Sequence, residues 1–209
     1  YRRYEFQAAL KSWTKALQLY RQRSNLGGQA STLSNLSITH LQLNQPKKAL
    51  SFQQQALKLY RNLADPVGEA AALDKLGLIK ASLNQYEAAI ETYEQALEVR
   101  RQQPQDSRTA NIWANLTQAY LALSRYQEAE ASAEKALHIY QVIEDTEGQV
   151  VVLEDLASLY TLRGQTQKAI PIYQKALILN QNSSNLIRQI NILVNLGTAH
   201  TVIRNYQEA

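Results

Sequence analysis

One register of this chain carries amides and charges at a fixed interval: Asn35, Lys75, Asn115, Asp155 and Asn195. Asn111 and Asn191 stand four positions before two of these, on the same face of a helix. Gln118, Ser158 and Thr198 follow three positions after. A carboxamide donates and accepts at once, so a row of them can pair with the backbone of an extended peptide whatever its side chains. Asn is a mediocre helix former, and its return at one helical register points to ligand contact rather than filler. Lys75 and Asp155 would add a choice of charge to such a row.

Other chemistry finds less support. Glu154-Asp155 is a carboxylate pair of the kind used in acid/base work, but no His or metal partner is expected beside it. His40 and His200 fill the slot held by Tyr120 and Tyr160 in other repeats, so each reads as a packed, singly hydrogen-bonded imidazole. His138 reads as solvated. Gly27-Gly28 is not a phosphate loop, because no strand precedes it and no Gly-Lys-Ser/Thr follows. The chain has no cysteine, which removes disulfides, thiol catalysis and thiolate metal sites together. The expectation is therefore no catalytic residue, no metal, no cofactor and no enzyme activity.

The net charge is +4, but Arg21, Arg23, Lys58, Arg61, Arg100 and Arg101 fall in the last turns of expected helices, where the helix dipole favours cations. A nucleic-acid footprint should be a clustered basic face, so no nucleic-acid partner is expected. The 12 tyrosines sit mostly at repeat-equivalent positions, which reads as packing rather than base stacking. No apolar run long enough to span a bilayer and no signal-peptide pattern occurs, so neither a membrane span nor export is expected, and the chain is expected to be cytoplasmic.

The elements that must position these residues are set by a repeat. Ala-Leu recurs at Ala16-Leu17, Ala56-Leu57, Ala96-Leu97, Ala136-Leu137 and Ala176-Leu177, without insertion or deletion. A fixed period of about 40 residues predicts a stacked solenoid in which each unit touches its neighbours. Each unit holds two helices. Helix A carries large apolar residues three apart, as in Leu73 and Leu76, followed by a small residue: Ser37, Gly77, Thr117, Ala157 or Gly197. Helix B carries a small contact at Ala9, Ala49, Ala89, Ala129 and Ala169. Pairs are expected near 28–43 with 47–64, 68–83 with 87–103, 107–123 with 127–143 and 146–162 with 166–181, flanked by helices near 6–24 and 185–203. The domain reading is a single array over 1–209, with complete units at about 28–67, 68–107, 108–147 and 148–187 and partial units at 1–27 and 188–209. The absence of Met and the phase at both ends are those expected of a piece of a longer protein, and open repeat ends offer a surface for self-association.

These residues resemble the tetratricopeptide repeat. Trp113-Leu116-Thr117-Tyr120-Ala129-Ala133-Ala136 and Leu73-Leu76-Gly77-Lys80-Ala89-Tyr93-Ala96 match nearly every slot of that family's pattern. The family's usual unit is shorter, at roughly 34 residues. The longer form found here resembles the repeats of kinesin light chains and of bacterial, including cyanobacterial, multidomain proteins. The resemblance implies an all-α fold, a right-handed solenoid of antiparallel helix pairs. It also implies that helix A lines a concave groove, which would place Asn35, Lys75, Asn111, Asn115, Gln118, Asp155, Asn191 and Asn195 against a peptide or helix of a protein partner. The family's clamp for a C-terminal carboxylate needs Lys, Asn and Arg at set positions; here those hold Ser34, Ile38, Lys75, Val151 and Asp155, so that mode is not expected. The expected function is a protein–protein interaction scaffold; the alternative is the regulatory array of a larger signalling protein or enzyme.

Overall fold

The computed structural model describes the backbone of residues 2–181 and 185–208, and the side chains of 5–181 and 185–203. Among the described residues there are ten helices and no strand. They are α1 (Arg2–Gln22), α2 (Leu26–Gln42), α3 (Pro46–Asn62), α4 (Pro66–Ser82), α5 (Tyr86–Val99), α6 (Ser107–Ala122), α7 (Tyr126–Val142), α8 (Thr146–Leu162), α9 (Thr166–Asn180) and α10 (Leu186–Glu208). They form two compact units, Tyr1–Pro104 and Gln105–Ala209. In the first, each helix from α1 to α5 packs on the next and α2 also touches α4. In the second, each helix from α6 to α10 does the same and α6 touches α8. Each unit is thus a run of antiparallel pairs with its A helices side by side.

Helices α2 and α4 start slightly before the expected points, at Leu26 and Pro66, because an Asx cap stands just ahead of each. Asn25, Asp65 and Asp145 each accept a hydrogen bond from the backbone N–H of the glycine three positions on, at 2.8–2.9 Å. Such a cap satisfies one of the otherwise unpaired first-turn donors. The turns share one device. Ser24, Asn44, Ala64, Asn84, Ser124, Glu144 and Gly164 all have φ between 50° and 71°. These positions fall on one regular spacing, half the repeat period, and a left-handed residue there reverses the chain after α1 to α4 and α6 to α8. The series skips Pro104, whose ring confines φ to the negative region and forbids that turn. The expected helix 87–103 accordingly stops at Val99, and residues 100–106 make a longer connection.

The repeating alanines are where helices meet. Ala49, Ala89, Ala129 and Ala169 are fully buried, as are Ala56, Ala96, Ala136 and Ala176. The small residue after the second Leu serves the same end. Ser37 donates to the carbonyl of Ala49 at 2.8 Å, and a Cβ on Gly77 would lie 2.4 Å from the buried Tyr93 ring. A second close approach joins the last turn of helix B to the first turn of the next helix A. A Cβ on Gly28, Gly68 or Gly148 would lie 2.4, 2.1 or 2.3 Å from the ring of Tyr20, Tyr60 or Tyr140. Glycine leaves room there for the ring to lie against the backbone.

Candidate functional site on the A helices

The register that prompted the reading is dispersed among several local roles. In the first unit, Lys75 Nζ donates to Ser34 Oγ at 3.0 Å, linking α4 to α2. Ser34 donates in turn to Gln53 Oε1 at 3.3 Å, and Gln53 Nε2 to the carbonyl of Ala72 at 3.0 Å. Lys75 therefore caps a buried polar chain rather than standing free; burial pushes its pKa down, with Asp74 opposing. Asn35 is half-buried, and its side chain has no hydrogen bond among the described residues.

In the second unit, the Asn111 side chain is exposed, but its carbonyl oxygen accepts from the Tyr140 hydroxyl at 2.5 Å. Tyr140 thus reaches back from α7 to fix the first half of α6, as Tyr60 reaches Ser31 at 3.4 Å. Asn115 is also engaged within the protein. Gln118 Nε2 donates to Asp155 Oδ1, joining α6 to α8. On the other side of α8, Glu154 faces Arg188 Nε of α10 at 3.9 Å.

Between α8 and α10 lies an open cavity of about 350 Å³ lined by Glu154, Asp155, Ser158, Arg188, Asn191 and Asn195, with Val151 and Val194 as its apolar walls. The structure thus brings together three of the eight anticipated residues: Asp155, Asn191 and Asn195. The two asparagines are exposed and without a side-chain hydrogen bond among the described residues. Two charged groups of this lining each keep one buried atom without a partner, Asp155 Oδ2 and Arg188 Nη1. Burial raises the Asp155 pKa to about 6; the Gln118 hydrogen bond opposes this, Glu154 adds to it and Arg188 reduces it. Burial also raises Glu154, against Arg188. A buried polar atom without a partner costs free energy until something supplies one. The site therefore offers an anionic acceptor, a cationic donor and two amides that do both.

Sequence reasoning missed Arg188. Its signal was present: it occupies the slot held by Gly28, Gly68 and Gly148 in three other repeats and by Arg108 in a fourth. Two of the three histidines take the places anticipated for them. His40 stacks on Phe52 at 5.2 Å with Nδ1 at 2.8 Å from Gln45 Oε1, and His138 is exposed. His200 is exposed rather than packed. Among the described residues no group of His, Asp and Glu could hold a metal ion, and no helix is long and apolar enough to cross a membrane.

A tetratricopeptide repeat family model matches residues 2–62 and 68–141, and a second model of that name matches 152–186. No curated protein matches the chain. Among solved structures, BtubC (BKLC) from P. vanneervenii is similar over 98% of this chain and 86% of its own, with a TM-score of 0.85 and 19% identity. A kinesin light chain protein with nearly identical TPR-like repeats from Podosopora anserina matches 85% of this chain and 88% of its own, at TM-score 0.72 and 19% identity. Aspartyl phosphate phosphatase F from Bacillus subtilis matches 97% of this chain and 56% of its own, at TM-score 0.84 and 15% identity. At these identities the likeness is one of fold.

Proposed function

We propose, from the premise that this chain belongs to the tetratricopeptide repeat family, that it is a protein–protein interaction scaffold holding an extended segment of a partner polypeptide along its A helices. The observation that carries the reading is the cavity between α8 and α10, where Asp155 Oδ2 and Arg188 Nη1 lack partners beside the amides of Asn191 and Asn195. A peptide unit supplies both a donor N–H and an acceptor C=O, so an extended backbone satisfies this mixed set without regard to side chains. Gln118 holds Asp155 in place, and the amide nitrogen of Asn111 extends the polar face onto α6. Asn115 belongs to the same register on α6, and Asn35 and Lys75 are the corresponding positions of the first unit.

The solved relatives support the fold on which this rests, and the family's use as a binding scaffold supports the partner class. The test is selection of an unbiased peptide library on the whole chain, followed by titration of the selected peptides. Asn191→Ala/Asn195→Ala should weaken binding about tenfold or more, since each lost amide pair costs about 0.5–1.5 kcal/mol. A folded double variant that binds the selected peptides undiminished would place recognition elsewhere.

A further inference from the structure

A second cavity lies where the repeat breaks its own packing rule. Three junctions between a helix B and the next helix A are filled by a tyrosine ring on a glycine: Tyr20 on Gly28, Tyr60 on Gly68 and Tyr140 on Gly148. At the junction of α9 and α10 the same two slots hold Asn180 and Arg188. The ring is absent, and a cavity of about 580 Å³ is lined by Glu147, Val150, Ile178, Leu179, Asn180 and Arg188, among others. Asn180 is only 3% exposed, and its Nδ2 is buried without a partner. Arg188 Nη1 is buried without a partner as well. The native packing of this junction therefore leaves two donors unsatisfied in one recess, which is costly unless an acceptor arrives.

The chemistry of the occupant follows from the lining. Both unpartnered atoms are donors, so the occupant must present an acceptor. A carboxylate is disfavoured: Glu147 lines the same recess, and Glu154 already lies 3.9 Å from Arg188 Nε, so the local charge is not positive. A cation is disfavoured by the guanidinium itself. A primary carboxamide meets all the demands, with its oxygen accepting from Asn180 and Arg188 and its NH₂ free to donate to Glu147. A short hydrocarbon arm would lie on Val150, Ile178 and Leu179. We propose that the α9–α10 junction is a binding site for a primary carboxamide on a short alkyl arm, taking the place of the tyrosine found at three other junctions. Such a group comes either as the side chain of a glutamine in a polypeptide or as a free small amide.

The experiment is NMR titration of the full chain, observing the amides and methyl groups of Val150, Ile178 and Leu179. The probes are pentanamide, pentanoate and the peptide acetyl-Ala-Gln-Ala-N-methylamide, in which the glutamine side chain is the only primary carboxamide. Pentanamide should shift these signals to saturation, and pentanoate should bind about tenfold more weakly or not at all. Tighter binding of the peptide identifies a glutamine side chain as the source; binding of pentanamide alone identifies a small molecule. Asn180→Tyr/Arg188→Gly installs the pair that the chain already uses three times, so it should fold and should abolish the shifts. Asn180→Leu removes the amide while leaving Arg188 to the neighbouring α8–α10 cavity, and should also abolish them. Absence of shifts in the parent, equal binding of pentanoate, or unchanged binding in a folded variant would overturn the proposal. Asn180→Leu leaves Arg188, Asn191 and Asn195 in place, so its outcome is separate from that of peptide capture, whereas Asn180→Tyr/Arg188→Gly removes the guanidinium from both cavities.

Discussion

Replacing Gly148 by alanine adds one methyl group where the Tyr140 ring already lies. The new Cβ would stand 2.3 Å from Cδ1 and Cε1, whereas 3.4 Å is the near edge of ordinary contact, so ring or helix must retreat by about an ångström. The ring cannot swing out cheaply. Tyr140 is 3% exposed, packed with Ala110, Ala133 and Val152, and its hydroxyl is held by Asn111 at 2.5 Å. Overpacking of this kind costs about 1–3 kcal/mol, and losing the hydroxyl bond adds about 0.5–1.5 kcal/mol. Alanine returns up to about 1 kcal/mol of helix propensity. The net is a loss of about 2 kcal/mol, or roughly 4–8 °C in melting temperature for a chain of this size. Two other glycines serve as controls. Gly28→Ala meets Tyr20, which is 37% exposed and can turn into solvent, so the effect should be near zero. Gly27→Ala meets only Asn25 Oδ1 at 3.8 Å and should stabilise by about 0.5 kcal/mol. The assay is urea denaturation of the three variants followed by circular dichroism. Three equal effects, or a Gly148→Ala protein as stable as the parent, would refute the claim that the ring dictates the glycine.

Other outcomes follow from the same reasoning. Ala64 sits at φ 50° with no amide or hydroxyl to favour that region, so Ala64→Gly should stabilise by about 0.5–1 kcal/mol, against the usual cost of glycine; a lower urea midpoint would contradict this. Ala96 is fully buried at a helix crossing, and Ala96→Leu should cost about 1–3 kcal/mol; a variant melting like the parent would show that the crossing has room. Asp155 has its folded pKa raised to about 6 from 3.8, so the folded state holds the proton more tightly than the unfolded one. Its contribution to stability is full below about pH 4 and is lost as pH rises through 6. Asp155→Asn should flatten the fall in stability between about pH 4 and 6 and stabilise the free protein at neutral pH, leaving the smaller slope due to Glu154; an unchanged pH profile would count against a buried carboxyl at this place.

The ten helices and their pairing were legible in the sequence, because what makes them is local and repeated. The apolar spacing of Leu73 and Leu76, the alanines at every crossing, and the Asx residue before each capped start act within a few positions of themselves. The early end of α5 was not read from the sequence, because Pro104 explains it only once the structure shows the regular spacing of left-handed turns. What the tertiary structure alone decided is which polar side chains remain for a ligand. Lys75 is taken by Ser34, Asn111 by Tyr140 and Gln118 by Asp155, each partner lying far off along the chain. Residues sharing one register in the sequence differ in this way because each amide's partner stands on another helix. Whether the two meet depends on helix separation and rotamer, to which the periodic pattern is blind. The same holds for Asp155 and Arg188, whose unpartnered atoms arise only when α8 and α10 close around them.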